Sequence, residues 1–344
     1  MTAAPALTDA LKALARPRDL TAEETAAALT EILSGEVPEA AVAALLTGLR
    51  VKGETADELA GAVRAVRARA LEAGLAVPPK GLLDTCGTGG DGAHTVNVST
   101  ATALVVAACG VPVAKHGNRA ASGNSGSAEV LAELGVAVEA EVPVVNRCLA
   151  ELGVTFLFAP RFHPGLRALG PVRRLLPFRT MMNLVGPLAN PARPEFQLVG
   201  VAGDAQARLV AEALARLGVG RAAVVTGADG LDEVSLSGPT RALVVERGEV
   251  SERRWLPEDF GLGHVSVADL RVSGPADSAA RITHLFAGEP GPVRDTVLAN
   301  AAAALWVVDP GDLTAAVARA ADAIDSGRAA RLLERWRGLS RQPA

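Results

Sequence analysis

Apolar residues recur every three or four positions through the first 74 residues, a spacing that predicts helices and no strands. Thr21 and Glu24 have the spacing of a capping box, and Gly35 follows as a stop signal. Residues 55–74 repeat this order with a second capping box and a terminal glycine. We therefore expect a small bundle of helices in this part of the chain.

The pattern changes after residues 76–80, whose sequence AVPPK is typical of a linker. Short apolar runs then alternate with helical segments, which favours a mostly parallel sheet with helices on its faces. Strands are predicted near Gly81–Asp84, Val111–Ala114, Val154–Ala159, Phe196–Ala202 and Ala222–Thr226. Helices are predicted near Thr100–Cys109, Gly126–Leu134, Pro143–Leu152, Ala205–Leu217 and from about residue 279 onward.

These patterns predict two domains of unequal size. Residues 1–75 would form the small helical domain, and residues 80–344 a larger α/β domain with a mostly parallel sheet. The proline-broken helical stretch at about 161–183 interrupts the strands, and we expect it to pack back onto the helical domain. The linker between the domains is a candidate hinge.

Charge and aromatic content argue against nucleic acid as a partner. The chain of 344 residues has a formal net charge of -4, 3% aromatic residues and no tyrosine. A nucleic-acid-binding module needs a basic face and rings on which bases stack. This composition disfavours that class of function.

The three cysteines, Cys86, Cys109 and Cys148, form no C-x-x-C pair, which favours a reducing compartment without a structural zinc site. The first 20 residues are typical of an amphipathic helix rather than a signal peptide. The apolar stretch Ala101–Ala114 is shorter than the ~20 residues that cross a bilayer. We expect a soluble cytoplasmic protein with no membrane partner.

The sequence GTGGDG at positions 87–92, with four glycines in six positions, is the first candidate for chemistry. Its spacing satisfies the dinucleotide fingerprint, but no acid lies between Asp91 and Glu129 to hold a ribose. It also has the outer glycines of a nucleotide P-loop, but Ala93 and His94 replace the Lys and the Ser or Thr. A tight turn explains one or two glycines, whereas four favour an anion site made of backbone N–H groups.

Lys115 would supply positive charge to that site. It follows a predicted strand and should emerge at the same carboxyl edge of the sheet, with a lone surface lysine as the alternative. The sequence SGNSGS, residues 122–127, offers hydroxyls and N–H groups at a helix start, where N-capping by Ser125 is the alternative. Two such loops together indicate a ligand with two phosphate groups.

Two adjacent acids, Asp232 and Glu233, follow the predicted strand Ala222–Thr226. Alone they fit a solvated acidic turn as well as a metal site. Mg²⁺ binds through a few carboxylates together with water and substrate phosphates. Beside two phosphate loops, the pair therefore favours a magnesium site.

Six segments resemble one known family. They are GTGGD (87–91), NVST (97–100), KHGNRAASGNSGS (115–127), HPGLRALGPVR (163–173), RTMMNLVGPLANP (179–191) and DGLDEVS (229–235). These motifs occur in the order and at the spacing of one family, and the chain resembles the anthranilate phosphoribosyltransferases over nearly its whole length. The resemblance implies a helical domain joined to an α/β domain and a homodimer formed through the helical domains. It also implies transfer of a phosphoribosyl group from phosphoribosyl pyrophosphate to anthranilate in tryptophan biosynthesis.

The resemblance also implies which residues bind each ligand. Those for phosphoribosyl pyrophosphate would be Gly87, Gly90, Asp91, Thr95, Asn97, Val98, Ser99, Thr100, Lys115, His116, Gly117, Asn118, Arg119, Ala120, Ala121, Ser122, Gly123 and Ser127. Those for anthranilate would be Gly87, Asn118, His163, Arg173, Gly186 and Pro187. Those for Mg²⁺, the cofactor implied, would be Ser99, Asp232 and Glu233.

The implied reaction breaks the bond between ribose C1 and diphosphate, and negative charge grows on the leaving group. N–H donors and magnesium stabilise such charge. The aromatic amine of anthranilate is neutral at pH 7 and attacks without prior deprotonation. We expect catalysis by positioning and electrostatics with no covalent intermediate. Neither His116 nor His163 is assigned as an essential base.

The nearest rival is a pyrimidine nucleoside phosphorylase, which has a similar layout and also handles ribose and phosphate. The phosphate motif of those enzymes is built around KHSTGG. Here Lys115 and His116 are followed by Gly-Asn-Arg. The sequence therefore disfavours a pyrimidine nucleoside phosphorylase.

Overall fold

The structure is a computed structural model that describes residues 4–70, 74–119 and 125–343. Its first four helices form a bundle, as the spacing of apolar residues predicted. They are α1 (Pro5–Leu14), α2 (Ala22–Leu33), α3 (Glu39–Lys52) and α4 (Ala56–Ala70).

Both predicted capping boxes begin helices of this bundle. The Glu24 N–H donates to Thr21 Oγ1 at 3.1 Å, and the Thr21 N–H donates to Glu24 Oε2 at 2.9 Å. Thr55 and Glu58 make the same reciprocal bonds, at 3.3 Å and 2.8 Å. Each box satisfies N–H groups that the first turn of a helix leaves without partners, which fixes where α2 and α4 begin.

The rest of the chain is built on a sheet in which the described residues supply seven strands. They are β1 (Leu83–Gly87), β2 (Val113–Gly117), β3 (Val154–Phe158), β4 (Phe196–Gly200), β5 (Arg221–Gly227), β6 (Thr240–Glu246) and β7 (Glu249–Trp255). Their order is β3-β2-β1-β4-β5-β6-β7, with the first five parallel and the last two antiparallel. The predicted fold class, a helical domain with a larger α/β part and a mostly parallel sheet, is confirmed.

The order of the strands creates a switch point between β1 and β4. The chain builds β1, β2 and β3 in one direction across the sheet and then returns to place β4 on the other side of β1. Crossover connections then leave opposite faces of the sheet, so a crevice opens at the carboxyl ends of β1 and β4.

The boundaries predicted for β1 and β2 are wrong by two to three residues. β1 covers Leu83–Gly87 rather than 81–84, and β2 covers Val113–Gly117 rather than 111–114. The prediction ended both strands where polar residues begin. The strands continue because these polar residues are buried and bonded inside the protein: Asp84, Thr85, Lys115 and His116.

The hairpin of β6 and β7 was not predicted. β7 lies at the edge of the sheet, and most of its residues are exposed. Its sequence EVSERRW shows little of the apolar alternation from which strands are recognised. Charged residues on an edge strand are a common protection against pairing with other chains.

Further helices cover both faces of the sheet. They are α5 (Val98–Ala108), α6 (Ser127–Glu133), α7 (Val142–Leu152), α8 (Ala159–Phe162), α9 (Gly170–Leu175), α10 (Met182–Leu188), α11 (Asp204–Leu217), α12 (Val267–Leu270), α13 (Pro275–Phe286), α14 (Pro292–Val308), α15 (Leu313–Asp325) and α16 (Arg328–Ser340). The helices α5 and α14 pack on one face, whereas α11 packs between the sheet and α4 on the other. The hydrophobic core therefore consists mainly of two layers, one on each side of the sheet.

The most apolar helices belong to these layers. In the described part of the chain no single helix is long and apolar enough to cross a membrane. The helices α14 and α15 pass that length and composition test only as a pair bent by 116°. The residues of α14 from Thr296 to Val307 are buried in the protein core.

The stretch between β3 and α10 packs against the N-terminal bundle. A 3₁₀ helix at Pro164–Leu169 contacts α2, and α9 contacts α3. The Met181 N–H donates to Glu54 Oε1 at 2.6 Å, which ties the start of α10 to the loop between α3 and α4. The domain boundary near residues 76–80 stays a prediction.

Candidate active site

Two neighbouring strands, β1 and β4, end in glycine at the switch point. Gly87 and Gly200 are paired in the sheet, and the loop that carries Asp232 lies directly against both. A Cβ on Gly87 would be 2.6 Å from Asp232 Oδ2, and one on Gly200 would overlap the Asp232 carbonyl oxygen. Glycine at both positions therefore allows an acidic loop to approach the carboxyl ends of two adjacent strands.

The glycine loop, residues 87–92, offers backbone N–H groups to this acidic loop. The Gly89 N–H donates to Asp232 Oδ2 at 2.7 Å. Gly89 and Gly90 have φ of +60° and +82°, a backbone conformation that residues with side chains rarely adopt. A carboxylate oxygen of the protein thus lies where the loop can bind an anion.

Arg179, which was not among the predicted site residues, is bound to the same loop. Its Nη1 and Nη2 both donate to the Gly89 carbonyl at 3.1 Å, and Nη2 donates to the Thr88 carbonyl at 3.2 Å. A Cβ on Gly90 would overlap Nη1. The only sequence signal was its place in the segment 179–191, because spacing alone does not indicate a contact across 90 residues.

Three carboxyl groups, those of Asp91, Asp232 and Glu233, form a carboxyl cluster at the crevice, and the charge of Lys115 only partly offsets theirs. Burial and the nearby charge of Asp91 raise the pKa of Asp232 to about 6. Burial and the charge of Asp232 raise the pKa of Glu233 well above its usual range, against an opposing effect of Lys115. The cluster therefore favours binding of protons or a cation.

The donor set fits a magnesium ion that is shared with a ligand. Within residues 4–70, 74–119 and 125–343, no three His, Cys, Asp or Glu side chains are arranged to hold a metal ion. Mg²⁺ commonly uses one or two carboxylates, water and substrate phosphates instead. The Ser99 N–H lies against the Glu233 carboxyl group, so the predicted ligands Ser99, Asp232 and Glu233 are brought together.

The acidic loop is fixed by residues behind it. Asp229 accepts hydrogen bonds from the hydroxyls of Ser235, at 2.5 Å, and Ser237. The fully buried side chain of Asn300 on α14 accepts from the Val234 N–H and donates to the Val234 carbonyl, both at 2.9 Å. These contacts hold the backbone next to Glu233, and neither Asp229 nor Asn300 was among the residues predicted from the sequence.

Lys115 does not emerge at the strand end, which corrects that prediction. It lies within β2, its residue is 2% exposed, and its Nζ donates to the Thr85 carbonyl at 2.6 Å and to Ser99 Oγ at 3.1 Å. Burial lowers its pKa, while the charges of Asp84 and Glu233 act in the opposite direction. Lys115 therefore supplies positive charge from beneath the carboxyl cluster.

The predicted NVST segment forms the start of α5. Asn97 caps this helix by accepting from the Thr100 N–H at 3.2 Å and from the Thr100 hydroxyl, and Thr100 is buried. Val98 is buried in the core, and Thr95 forms an isolated bridge with Arg271. Of the predicted hydroxyl groups here, Ser99 is the one that contacts the charged cluster.

The second predicted loop begins at the end of β2. A Cβ on Gly117 would overlap Ser127 Oγ, and the Asn118 carbonyl accepts from the Ala128 N–H at 3.2 Å. Arg119 forms an ion pair with Glu139 at 2.8 Å. The helix α6 begins at Ser127 with Gly126, not Ser125, as its N-cap. Four predicted binding residues lie outside the described residues: Ala120, Ala121, Ser122 and Gly123.

Two buried histidines connect β2 to α10. His116 Nδ1 lies 3.1 Å from the Gly186 carbonyl, and its ring meets that of His163 edge to face at 5.0 Å. Burial lowers the pKa of His163 to about 4 and that of His116 well below its usual value. Both rings are therefore neutral at pH 7 and weak as bases.

Of the other predicted anthranilate residues, Gly186 and Pro187 lie beside these histidines and Arg173 lies near Arg179. The Pro187 carbonyl accepts from Cys86 Sγ at 3.5 Å, which joins α10 to β1. Burial and the charge of Arg179 lower the pKa of Arg173 on α9. Arg173 and Arg179 thus form a positive region beside the glycine loop, opposite in sign to the carboxyl cluster.

Two family models match the chain. The helical bundle domain of a glycosyl transferase family matches residues 8–70, and the a/b domain of that family matches residues 79–330. Two of the similar relatives have the same name. The anthranilate phosphoribosyltransferase of Novosphingobium aromaticivorans is 48% identical over 91% of this chain and 94% of its own length. That of Thermomicrobium roseum is 50% identical over 92% of each.

Solved structures of that enzyme are similar as well. The anthranilate phosphoribosyltransferase of Thermus thermophilus aligns with a TM-score of 0.89 and 41% identity, over 97% of this chain and 100% of that one. The enzyme of Saccharomyces cerevisiae, in complex with PRPP (phosphoribosyl pyrophosphate) and Mg, aligns with a TM-score of 0.88 and 28% identity, over 97% of each chain.

Proposed function

This chain belongs to the anthranilate phosphoribosyltransferases of the glycosyl transferase family, and from that premise we propose its reaction in detail. It transfers the phosphoribosyl group of phosphoribosyl pyrophosphate to the amine of anthranilate. The products are N-(5-phosphoribosyl)anthranilate and diphosphate, and the step is the second of the tryptophan branch.

The close approach of the acidic loop to the glycine loop is the observation that carries this proposal. Asp232 lies on the two strand-ending glycines and accepts from the Gly89 N–H. A diphosphate needs both N–H donors and a divalent cation, and this arrangement supplies the donors and the carboxylates for the cation within one crevice. The bound Mg²⁺ would be held by Ser99, Asp232 and Glu233 and would stabilise negative charge on the leaving diphosphate.

The residues of the chain act chiefly by position. As the bond between C1 and diphosphate lengthens, the electron pair goes to the diphosphate, and N–H groups of the glycine loop stabilise it. The amine of anthranilate forms the new bond to C1 from the opposite side, and its proton is lost to water. Displacement from one side inverts the configuration at C1.

No essential general base is part of this mechanism. The attacking amine is neutral at pH 7, and the low pKa values of His116 and His163 make both rings weak proton acceptors. Arg173 would bind the carboxylate of anthranilate through charge-assisted hydrogen bonds. His116 and His163, together with Gly186 and Pro187, would shape the pocket for the ring.

The substrates lie in two adjoining parts of the crevice in this proposal. The diphosphate binds at residues 87–91, and the ribose 5-phosphate binds at the loop that follows β2. Asn118, at the start of that loop, would contact both substrates. A homodimer formed through the N-terminal bundle also belongs to the proposal, and light scattering in solution measures its mass directly.

Anthranilate fluorescence tests the function directly. Loss of that fluorescence on adding phosphoribosyl pyrophosphate, dependent on Mg²⁺ and matched by release of diphosphate, is the expected result. Folded protein that leaves anthranilate unchanged would contradict the proposal. Thymidine or uridine with phosphate serves as the control substrate, and turnover of either would favour a nucleoside phosphorylase instead.

A further inference from the structure

Arg179 is an exposed residue that nevertheless makes three hydrogen bonds, all to the backbone of the glycine loop. Both acceptors are main-chain carbonyls, those of Thr88 and Gly89. Gly90 leaves the space that the guanidinium occupies, because a Cβ there would overlap Nη1. The loop and this arginine are therefore fitted to one another by hydrogen bonds and by shape.

The geometry of a trans peptide gives these bonds a consequence. In each peptide unit the C=O and the following N–H point in opposite directions. Arg179 holds the Thr88 and Gly89 carbonyls, so the N–H groups of Gly89 and Gly90 are directed away from the guanidinium. The Gly89 N–H does donate to Asp232 Oδ2 at 2.7 Å, on the side of the carboxyl cluster.

From this arrangement we propose that Arg179 is a positioning residue for the diphosphate. By binding two successive carbonyls, its planar fork fixes two successive peptide units and presents their N–H groups to the leaving group. A glycine-rich loop has many accessible backbone conformations, and fixing the productive one before the ligand arrives lowers the entropy lost on binding. The inference rests on the proposed function, since it assigns the diphosphate to this loop.

Arg179 also connects the glycine loop to the N-terminal bundle. Two residues later, the Met181 N–H is bound to Glu54 at 2.6 Å, so the backbone beside Arg179 is tied to the helical bundle. Glu54 is itself paired with Arg50 at 3.7 Å. Arg179 thus extends from a backbone segment anchored on the bundle to the loop at the end of β1.

The test measures binding of inorganic diphosphate with Mg²⁺ by calorimetry. It compares the unchanged chain with Arg179→Ala, Arg179→Lys and a matched control, Arg174→Ala, which removes an exposed arginine from the same segment. We expect Arg179→Ala to raise the Kd for diphosphate about tenfold or more and the KM for the phosphoribosyl donor by a similar factor, with the KM for anthranilate within about twofold. Arg174→Ala should leave all three values within about twofold of the unchanged chain.

Arg179→Lys separates positioning from simple attraction. Lysine keeps the charge but lacks the planar fork that reaches two carbonyls, so we expect it to lose nearly as much affinity as alanine. Wild-type affinity in Arg179→Lys would overturn the positioning role, and so would wild-type affinity in folded Arg179→Ala. If Arg179→Ala does not fold, Arg179→Lys decides the question. Failure of the unchanged chain to bind diphosphate would instead contradict the proposed function itself.

Discussion

The carboxyl edge of the sheet has two charged regions that differ in how their charges are balanced. At the ends of β1 and β4, the carboxyl groups of Asp232 and Glu233 are partly buried and have raised pKa values. Beyond β4, a cavity of about 460 Å³ is lined by Gly203, Asp204, Thr226, Gly227, Ala228, Gly230, Pro239, Arg241, Glu252 and Arg254. There Arg241 pairs with Asp204 at 3.1 Å and with Glu252 at 2.8 Å.

Both regions contain glycine turns, the start of a helix and charged residues, so these features do not distinguish them. The difference is electrostatic. In the second region Asp204, Arg241 and Glu252 form ion pairs near solvent, and hydrogen bonds to its two partners raise the pKa of Arg241. In the first region, like charges face one another in a partly buried crevice. Like charges held together in a cleft are unfavourable until a ligand or cation arrives, which is why carboxyl groups with perturbed pKa values in a cleft mark a functional site.

Removing one acid from each region gives the largest contrast. We expect Glu233→Gln to lower kcat/KM about a hundredfold or more, because the site then loses charge that stabilises the bound cation. Asp204→Asn in the second region should leave kcat/KM within about twofold. Steady-state assays at several Mg²⁺ concentrations make the comparison, and the Mg²⁺ needed for half-maximal rate should rise only for Glu233→Gln. Equal losses in the two variants would remove the distinction between the regions.

The second contrast concerns the buried supports of each region. Asn300→Ala leaves both the N–H and the carbonyl of Val234 without their side-chain partners, and we expect it to lower the free energy of unfolding by about 2–3 kcal/mol. It should also weaken the response to Mg²⁺, because Val234 adjoins Glu233.

Thr226→Val is the matched change in the second region. It removes one buried hydrogen bond, from Thr226 Oγ1 to the Val201 carbonyl at 2.7 Å. We expect a loss of about 1 kcal/mol in stability and no change in the Mg²⁺ response. Urea unfolding and Mg²⁺ titration of the two variants measure both effects. An unchanged Mg²⁺ response in Asn300→Ala would mean that the acidic loop is held by other contacts.

The third contrast is a pH dependence of stability, which the buried region should show through Asp84. This carboxyl group is fully buried in β1 and accepts from the His116 N–H and from Asn190 Nδ2. Burial raises its pKa to about 6. Between about pH 4 and pH 6 the folded state therefore binds more protons at Asp84 than the unfolded state does, and this contribution to stability decreases as pH rises.

His163 has the opposite effect in nearly the same range. Its pKa of about 4 means that the unfolded state binds more protons there, so its contribution to stability increases as pH rises from about 4 to 6.5. The two effects partly cancel. Replacing Asp84 by Asn removes one of them, and we expect acidification from pH 6 to pH 4 to destabilise that variant by about 1–3 kcal/mol more than the unchanged chain. Urea unfolding at a series of pH values measures this, and parallel pH profiles would contradict it.

The parts of the site that could be predicted from the sequence are those with a motif contained within a few consecutive residues. The glycine loop and the pair Asp232 and Glu233 are each recognisable within a few residues, and parallel strands bring their ends to one edge. Lys115 was expected at that edge because a polar residue after an apolar run was taken as the end of the strand. In the structure Lys115 lies within β2. Polar residues can continue a buried strand when distant groups satisfy them, as Thr85 and Ser99 do for Lys115.

Contacts between distant segments had no signal of that kind. Arg179 meets a loop 90 residues away, and Asn300 meets Val234 across 66 residues. Each looks in the sequence like an ordinary polar residue near or within a helix. The hairpin of β6 and β7 was missed for a related reason: its exposed charged residues are explained by its edge position, and that position is set by the whole sheet.

The smallest expected effect comes from the paired charges of the second region. Arg241→Gln removes two ion pairs whose acids, Asp204 and Glu252, are 73% and 54% exposed at the side chain. Because water solvates those acids when the arginine is absent, we expect the free energy of unfolding to fall by less than about 1 kcal/mol. The kcat/KM should stay within about twofold of the unchanged chain, since paired exposed charges are not part of the proposed crevice. Urea unfolding in low and high salt checks the first value, and the small loss should decrease further as salt screens the pairs. A fall of several kcal/mol in the free energy of unfolding, or a loss of kcat/KM near that of Glu233→Gln, would contradict the distinction between the two regions.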